Sequence, residues 1–309
     1  MPDSTLLPLV PCGAAMLVVV AAALGIWLAR GTTAVPAAVW ALVAAGVFAA
    51  ESAARWAGWL RDPAALAAVR LVVVALMLCP IMSLLGAKRP QHGVWQFIVG
   101  SFAAVLALPA VSAVLVRPGS FPDVHPLQQW FMPLVVAVAW MNHAATRRGL
   151  AAACVAVGQC LLLRRFLPFA DAAGLPTWPA GDAIGSGLVA AGAMLAALQS
   201  VAWPAGGPRG PRSLGVAGAI DAPFLALRET VGAAWTLRIA ERFNQVAAGR
   251  GWPCRLRFTG LVLAGDVDEK PWHRDAERCL AALVRRFASG AWLRRHASRG
   301  FGSGIDAQK

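Results

Sequence analysis

"AALAAVRLVVVALMLCPIMSLLGAKRPQHGVWQFIVGSFAAVLAL" (Ala64–Leu108) holds two apolar runs, each about as long as a bilayer-crossing helix needs, joined by the polar turn "AKRPQHG". Lys88, Arg89, Pro90, Gln91 and His92 are consecutive there, and Pro90 and Gly93 supply a chain reversal. Two spans and a basic turn are the signature of a helical hairpin in lipid, and the rest of the chain repeats the theme.

Of 309 residues, 58% are hydrophobic and 14% charged, well below the quarter usual in soluble domains. The mean hydropathy is +0.61. A chain this apolar needs lipid as its solvent. Seven stretches read as spans: Leu6–Leu28, Val35–Ala54, Ala64–Leu85, Val94–Leu115, Leu127–Ala145, Leu150–Leu167 and Ala183–Trp203. The first lacks the basic flank of a secretory signal and reads as a retained helix. The sixth is interrupted by Arg164 and Arg165. The expected class is thus a polytopic α-helical membrane protein of about seven transmembrane helices with a small C-terminal α+β cytosolic domain.

The formal charge is +13, and 17 of the 28 basic residues follow Trp203. With the N-terminus outside, inner turns carry Arg30, Lys88, Arg89, Arg147 and Arg148, and outer turns Arg55, Arg61, Arg117, Arg164 and Arg165. The turns balance; the basic tail and the start without cations break the tie toward N-out and C-in. Scarce lysine and absent tyrosine read as the codon bias of a GC-rich bacterium, which makes the expected location a bacterial inner membrane.

After the spans (1–203), residues 204–220 are rich in Pro, Gly and Arg and read as a linker near anionic headgroups. In 221–299, Phe224, Leu227, Val231, Trp235, Ile239, Phe243 and Val246 keep a helical period, with Asp221 as cap and Gly249 as stop. "RLRFTGLVLAG" alternates as a strand does, and a second helix is expected from about Pro271, with Trp272, Leu280, Val284 and Phe287 on one face. Residues 300–309 read as a disordered tail.

Candidate chemistry is sparse. Lys88, Arg89, His92, His143, Arg147 and Arg148 fall in or beside inner turns and form a candidate anion or headgroup site. Glu51 ends the second span and Arg70 begins the third. A bare charge in a span costs about 2.5–3.5 kcal/mol, so these two are expected to pair. Nearby, on the same outer side, lie Arg55, Asp123 and His125. Gln96, Gln128, Gln129, Gln159 and Gln199 lie in or near spans, where amides bond between helices. Gly181, Gly185, Gly187 and Gly192 give the last span a small-residue face for packing within the chain or in a homo-oligomer.

Six cysteines (Cys12, Cys79, Cys154, Cys160, Cys254, Cys279) form no CxxC and read as buried thiols; no metal site is expected. The chain contains no GxxxxGK[ST], HExxH or GxSxG, so neither a cofactor nor a catalytic motif is indicated. The tail carries no aromatic-basic nucleic-acid module. The expected function is an interaction or scaffold module whose tail binds a protein partner; the alternatives are a transporter or carrier of a small polar or anionic molecule and an enzyme acting on a phosphorylated or lipid substrate at the inner face.

Overall fold

The computed structural model describes residues 9–86, 92–170, 172–174, 180–202, 216–264 and 272–296. Seven helices come first: α1 (Leu9–Leu28), α2 (Val35–Trp56), α3 (Pro63–Leu85), α4 (His92–Leu115), α5 (Pro126–Ala144), α6 (Gly149–Leu163) and α7 (Ala180–Ala202). A 3-10 turn, Arg164–Phe166, extends α6. Starts are set by local chemistry. The Asp62 carboxylate accepts the Ala64 and Ala65 N–H groups ahead of α3, with Pro63 as first helical residue. His125 Nδ1 accepts Leu127 N–H ahead of α5, followed by Pro126.

Six of these helices are long and apolar enough to cross a bilayer, not the seven expected. The exception is α5, the expected span Leu127–Ala145. Gln128 and Gln129 near its start and Asn142 and His143 near its end lower its apolarity. α3 is the central element: 61% of its span is buried, against 28–33% in the other five. Leu71, Val73, Val74 and Leu78 form its buried faces. The outer surface is apolar, with Leu17, Trp27, Phe97, Leu108 and Val114 exposed, as a lipid-facing surface requires.

α6 and α7 cross closely because both lack side chains at the crossing. A Cβ on Gly158 would lie 2.7 Å from the Gly185 carbonyl oxygen, and one on Gly192 would lie 2.6 Å from that of Ala151. Gly185 and Gly192 therefore serve packing within the chain. The amides join helices. Gln96 Oε1 accepts from Trp40 Nε1 at 2.8 Å and Ser83 Oγ at 3.0 Å, tying α2, α3 and α4. Gln159 Nε2 donates to the Met77 carbonyl, and Gln128 Nε2 to that of Val105.

The C-terminal region comprises α8 (Val216–Val231), α9 (Ala233–Gly249), β1 (Cys254–Arg257), β2 (Gly260–Leu263), α10 (His273–Val284) and α11 (Gly290–His296). The period from Phe224 to Val246 is shared by two helices, not one. Gly232, at φ +78°, breaks it, and a Cβ there would collide with the Asn142 side chain. Asp221 lies inside α8, where its carboxylate accepts Leu261 N–H at 2.6 Å. The expected strand is a hairpin, β1 antiparallel to β2, with Cys254 opposite Leu263 and Arg257 opposite Gly260. Most of the linker and all of residues 300–309 lie outside the described residues.

This region packs onto one end of the bundle. Thr33 N–H donates to Phe287 O and Ser289 N–H to Gly31 O, each at 2.7 Å. Trp235 Nε1 donates to Leu84 O at 3.0 Å, and the Asn142 side chain bridges Val231 O and Ala234 N–H. The α1–α2 turn, the end of α3 and the end of α5 thus share one face. The α2–α3, α4–α5 and α6–α7 connections lie at the opposite end, where Arg165 stacks on Phe121.

Candidate functional site

Two polar constellations stand out, one near each end of the bundle. At the end away from the C-terminal region, α2, α3 and α7 contribute Glu51, Arg55, Arg70 and Asp182. Arg70 Nη2 lies 2.6 Å from Glu51 Oε1 and 2.8 Å from Asp182 Oδ2. Arg70 Nε also donates to Glu51 Oε1, at 2.9 Å. Arg55 Nη1 is 2.9 Å from Asp182 Oδ2 and 3.8 Å from Glu51 Oε1. The Glu51 side chain is fully buried. Two guanidinium groups and two carboxylates cancel, which suits an apolar setting. Among the described residues Glu51 Oε2 and Arg70 Nη1 have no hydrogen-bond partner, and neither does Ser186 Oγ, one helical turn beyond Asp182. Asp123 and His125 are exposed and stand apart from the quartet.

The second constellation lies beside the C-terminal region. A partly open cavity of about 420 Å³ runs between α1, α2, α3, α5, α6 and α7. Its wall is largely alanine, with Ala41, Ala44, Ala152 and Ala193 among the lining residues. Small side chains at facing positions are what leave the space. Gln159 lines the deeper wall, and His143, Arg148, Ser200 and Thr230 line the end under α8.

Arg148 precedes α6, and its Nη2 donates to Ser200 Oγ at 2.7 Å; that hydroxyl donates in turn to Ala196 O. No carboxylate among the described residues lies within ion-pair distance of Arg148. Burial pulls its pKa down, and the field of Glu229 partly restores it. Glu229 is otherwise engaged: Oε1 takes Arg228 Nη2 at 2.6 Å and Oε2 takes the Arg147 N–H at 3.1 Å. His143 Nδ1 is buried without a hydrogen-bond partner among the described residues.

Of the candidate anion cluster, His143 and Arg148 meet at this cavity. Arg147 is exposed and contributes its backbone N–H to Glu229. Lys88 and Arg89 lie outside the described residues, and His92 opens α4 with its side chain undescribed. Sequence reasoning missed Asp182, Ser200 and Thr230. An acid in the first turn of the last span was the available signal for Asp182. Among the described residues no three His, Cys, Asp or Glu side chains converge as metal ligands would. Compared with family models, with curated proteins and with solved structures, the chain matches none.

Proposed function

We propose that this chain is a seven-span bacterial inner-membrane protein, N-out and C-in, that carries a small molecule with an apolar body in its intrabundle cavity. This reading counts α5 as the seventh span, supported by its 19 residues and by Asn142 near its end, which bonds Val231 O in the C-terminal region. The tail's basic excess favours the cytosolic side for that region. The observation that carries the reading is the alanine-walled cavity of about 420 Å³, within the size range of small-molecule sites.

A scaffold reading leans on the apolar faces of the tail helices. Phe224, Leu227, Phe243, Leu280, Val284 and Trp292 are fully buried within the chain itself, so those faces offer a partner little. The carrier reading uses space the fold leaves open.

The test is native mass spectrometry of full-length protein extracted gently from membranes, beside Ala193→Phe, which fills the cavity from α7. Wild type is expected to retain a bound apolar molecule that the variant loses. Equal occupancy in a folded variant would overturn the reading.

A further inference from the structure

We propose that the cavity's ligand bears an anionic head, a carboxylate or a phosphate monoester, on a single apolar chain, with the head seated between Arg148 and His143. This rests on the cavity reading above and adds the chemical class of the occupant.

The chain supplies its own control. Arg70 is buried and Arg55, like Arg148, half-buried, and the first two share two carboxylates within 3 Å. The Arg148 guanidinium donates to one neutral oxygen, Ser200 Oγ. A guanidinium has five N–H donors in a planar fork that matches carboxylate and phosphate oxygens. Burying one without an anion is costly, and the quartet shows how this protein meets that cost elsewhere. Glu229, the one nearby acid, is held by Arg228 and the Arg147 N–H.

The remaining walls agree. His143 adds a buried, unpartnered ring nitrogen beside the guanidinium. No Asp or Glu is among the residues that line the cavity. Beyond the polar end the wall is apolar along α7 from Ser200 back to Val189, about 17 Å at the helical rise. A cation at one end of a long alanine-lined slot fits an amphiphile lying head toward the C-terminal region. The volume suits one chain rather than a two-chain lipid.

Two sources share this chemistry, fatty carboxylates and single-chain phosphates. The experiment is calorimetric titration of the full-length protein in nanodiscs, corrected with empty nanodiscs, using dodecanoate, dodecyl phosphate and dodecanol. Both anions are expected to bind at least tenfold more tightly than the alcohol. The tighter of the two names the source. Arg148→Gln is expected to abolish the preference, and Arg148→Lys to keep part of it. Dodecanol binding as tightly as the anions to the unmodified protein would overturn the anionic head while leaving the cavity reading standing, and this comparison needs no variant. An intact preference in a folded Arg148→Gln protein would also overturn it. If none of the three probes binds, the cavity reading falls and takes this inference with it.

Discussion

Neutralising Glu51 and Arg70 one at a time should be far more damaging than neutralising both. In Glu51→Gln, Arg55 and Arg70 are left sharing the single Asp182 Oδ2, at 2.9 and 2.8 Å, and the buried cluster gains a net positive charge. In Arg70→Met, Glu51 keeps only Arg55, at 3.8 Å, and the cluster becomes net negative. Breaking a buried pair by removing one partner costs about 3–5 kcal/mol, so each single variant should lose that much. In Glu51→Gln/Arg70→Met the Arg55–Asp182 contact at 2.9 Å survives and the charge is again zero. Replacing a whole buried pair is often neutral or stabilising, so the double variant should stay within about 2 kcal/mol of wild type. Simple additivity would predict a loss of about 6–10 kcal/mol, enough to unfold most proteins. The assay is SDS titration in mixed micelles followed by far-ultraviolet circular dichroism, with the four proteins forming a double-mutant cycle. A double variant whose loss equals the sum of the singles would refute the idea that the quartet is a closed balance of charge.

Two further outcomes follow from other contacts. Gly158→Val places a branched side chain where Gly185 O already stands 2.7 Å from the Cβ position, so α6 and α7 must separate. Overpacking of this kind costs about 1–3 kcal/mol, read in the same titration; an unchanged midpoint would count against the close crossing. His296 stacks on Trp292 at 4.0 Å between centroids, and burial, with the neighbouring Arg295 charge, lowers its pKa below 6.5 against the opposing hydrogen bond to Trp292 O. The unfolded chain therefore takes up a proton first. The stabilising contribution is present above pH 6.5 and is lost as pH falls through the folded value. The protection factor of the Ser289 amide, its exchange corrected for the intrinsic slowing in acid, is expected to fall on acidification in wild type and less so in His296→Phe; identical profiles would remove His296 as the cause.

What the sequence made legible was whatever depends on composition and on neighbours along the chain. Glu51 and Arg70 end one span and begin the next, so a short turn had to leave them close, and lipid demands a partner for each. Asp182 lies 112 positions from Arg70, and no local rule says that α7 packs beside α2 and α3. The break at Gly232 was hidden because Val231 and Trp235 continue the helical period on either side; only the close approach of Asn142 requires a glycine there. Arg147 and Arg148 are adjacent cations of equal standing in sequence. Both lie in the turn between α5 and α6, where one is exposed and the other lines the cavity. The cavity itself was illegible, since an alanine facing lipid and an alanine facing empty space look the same on paper.

The contacts between the α1–α2 turn and the C-terminal region also bear on how the protein is made. Arg295 reaches Arg30 O across 265 positions of chain. At about 5–20 residues per second of synthesis, Arg30 is polymerised roughly 13–53 s before Arg295. Helices α2 to α7 are translated in that interval, while the end of the bundle that bears Arg148 lacks the C-terminal region. Among the last segments to be made is therefore α8, whose Thr230 lines the cavity, and a nascent chain stalled after α7 would leave that end of the bundle without its C-terminal contacts.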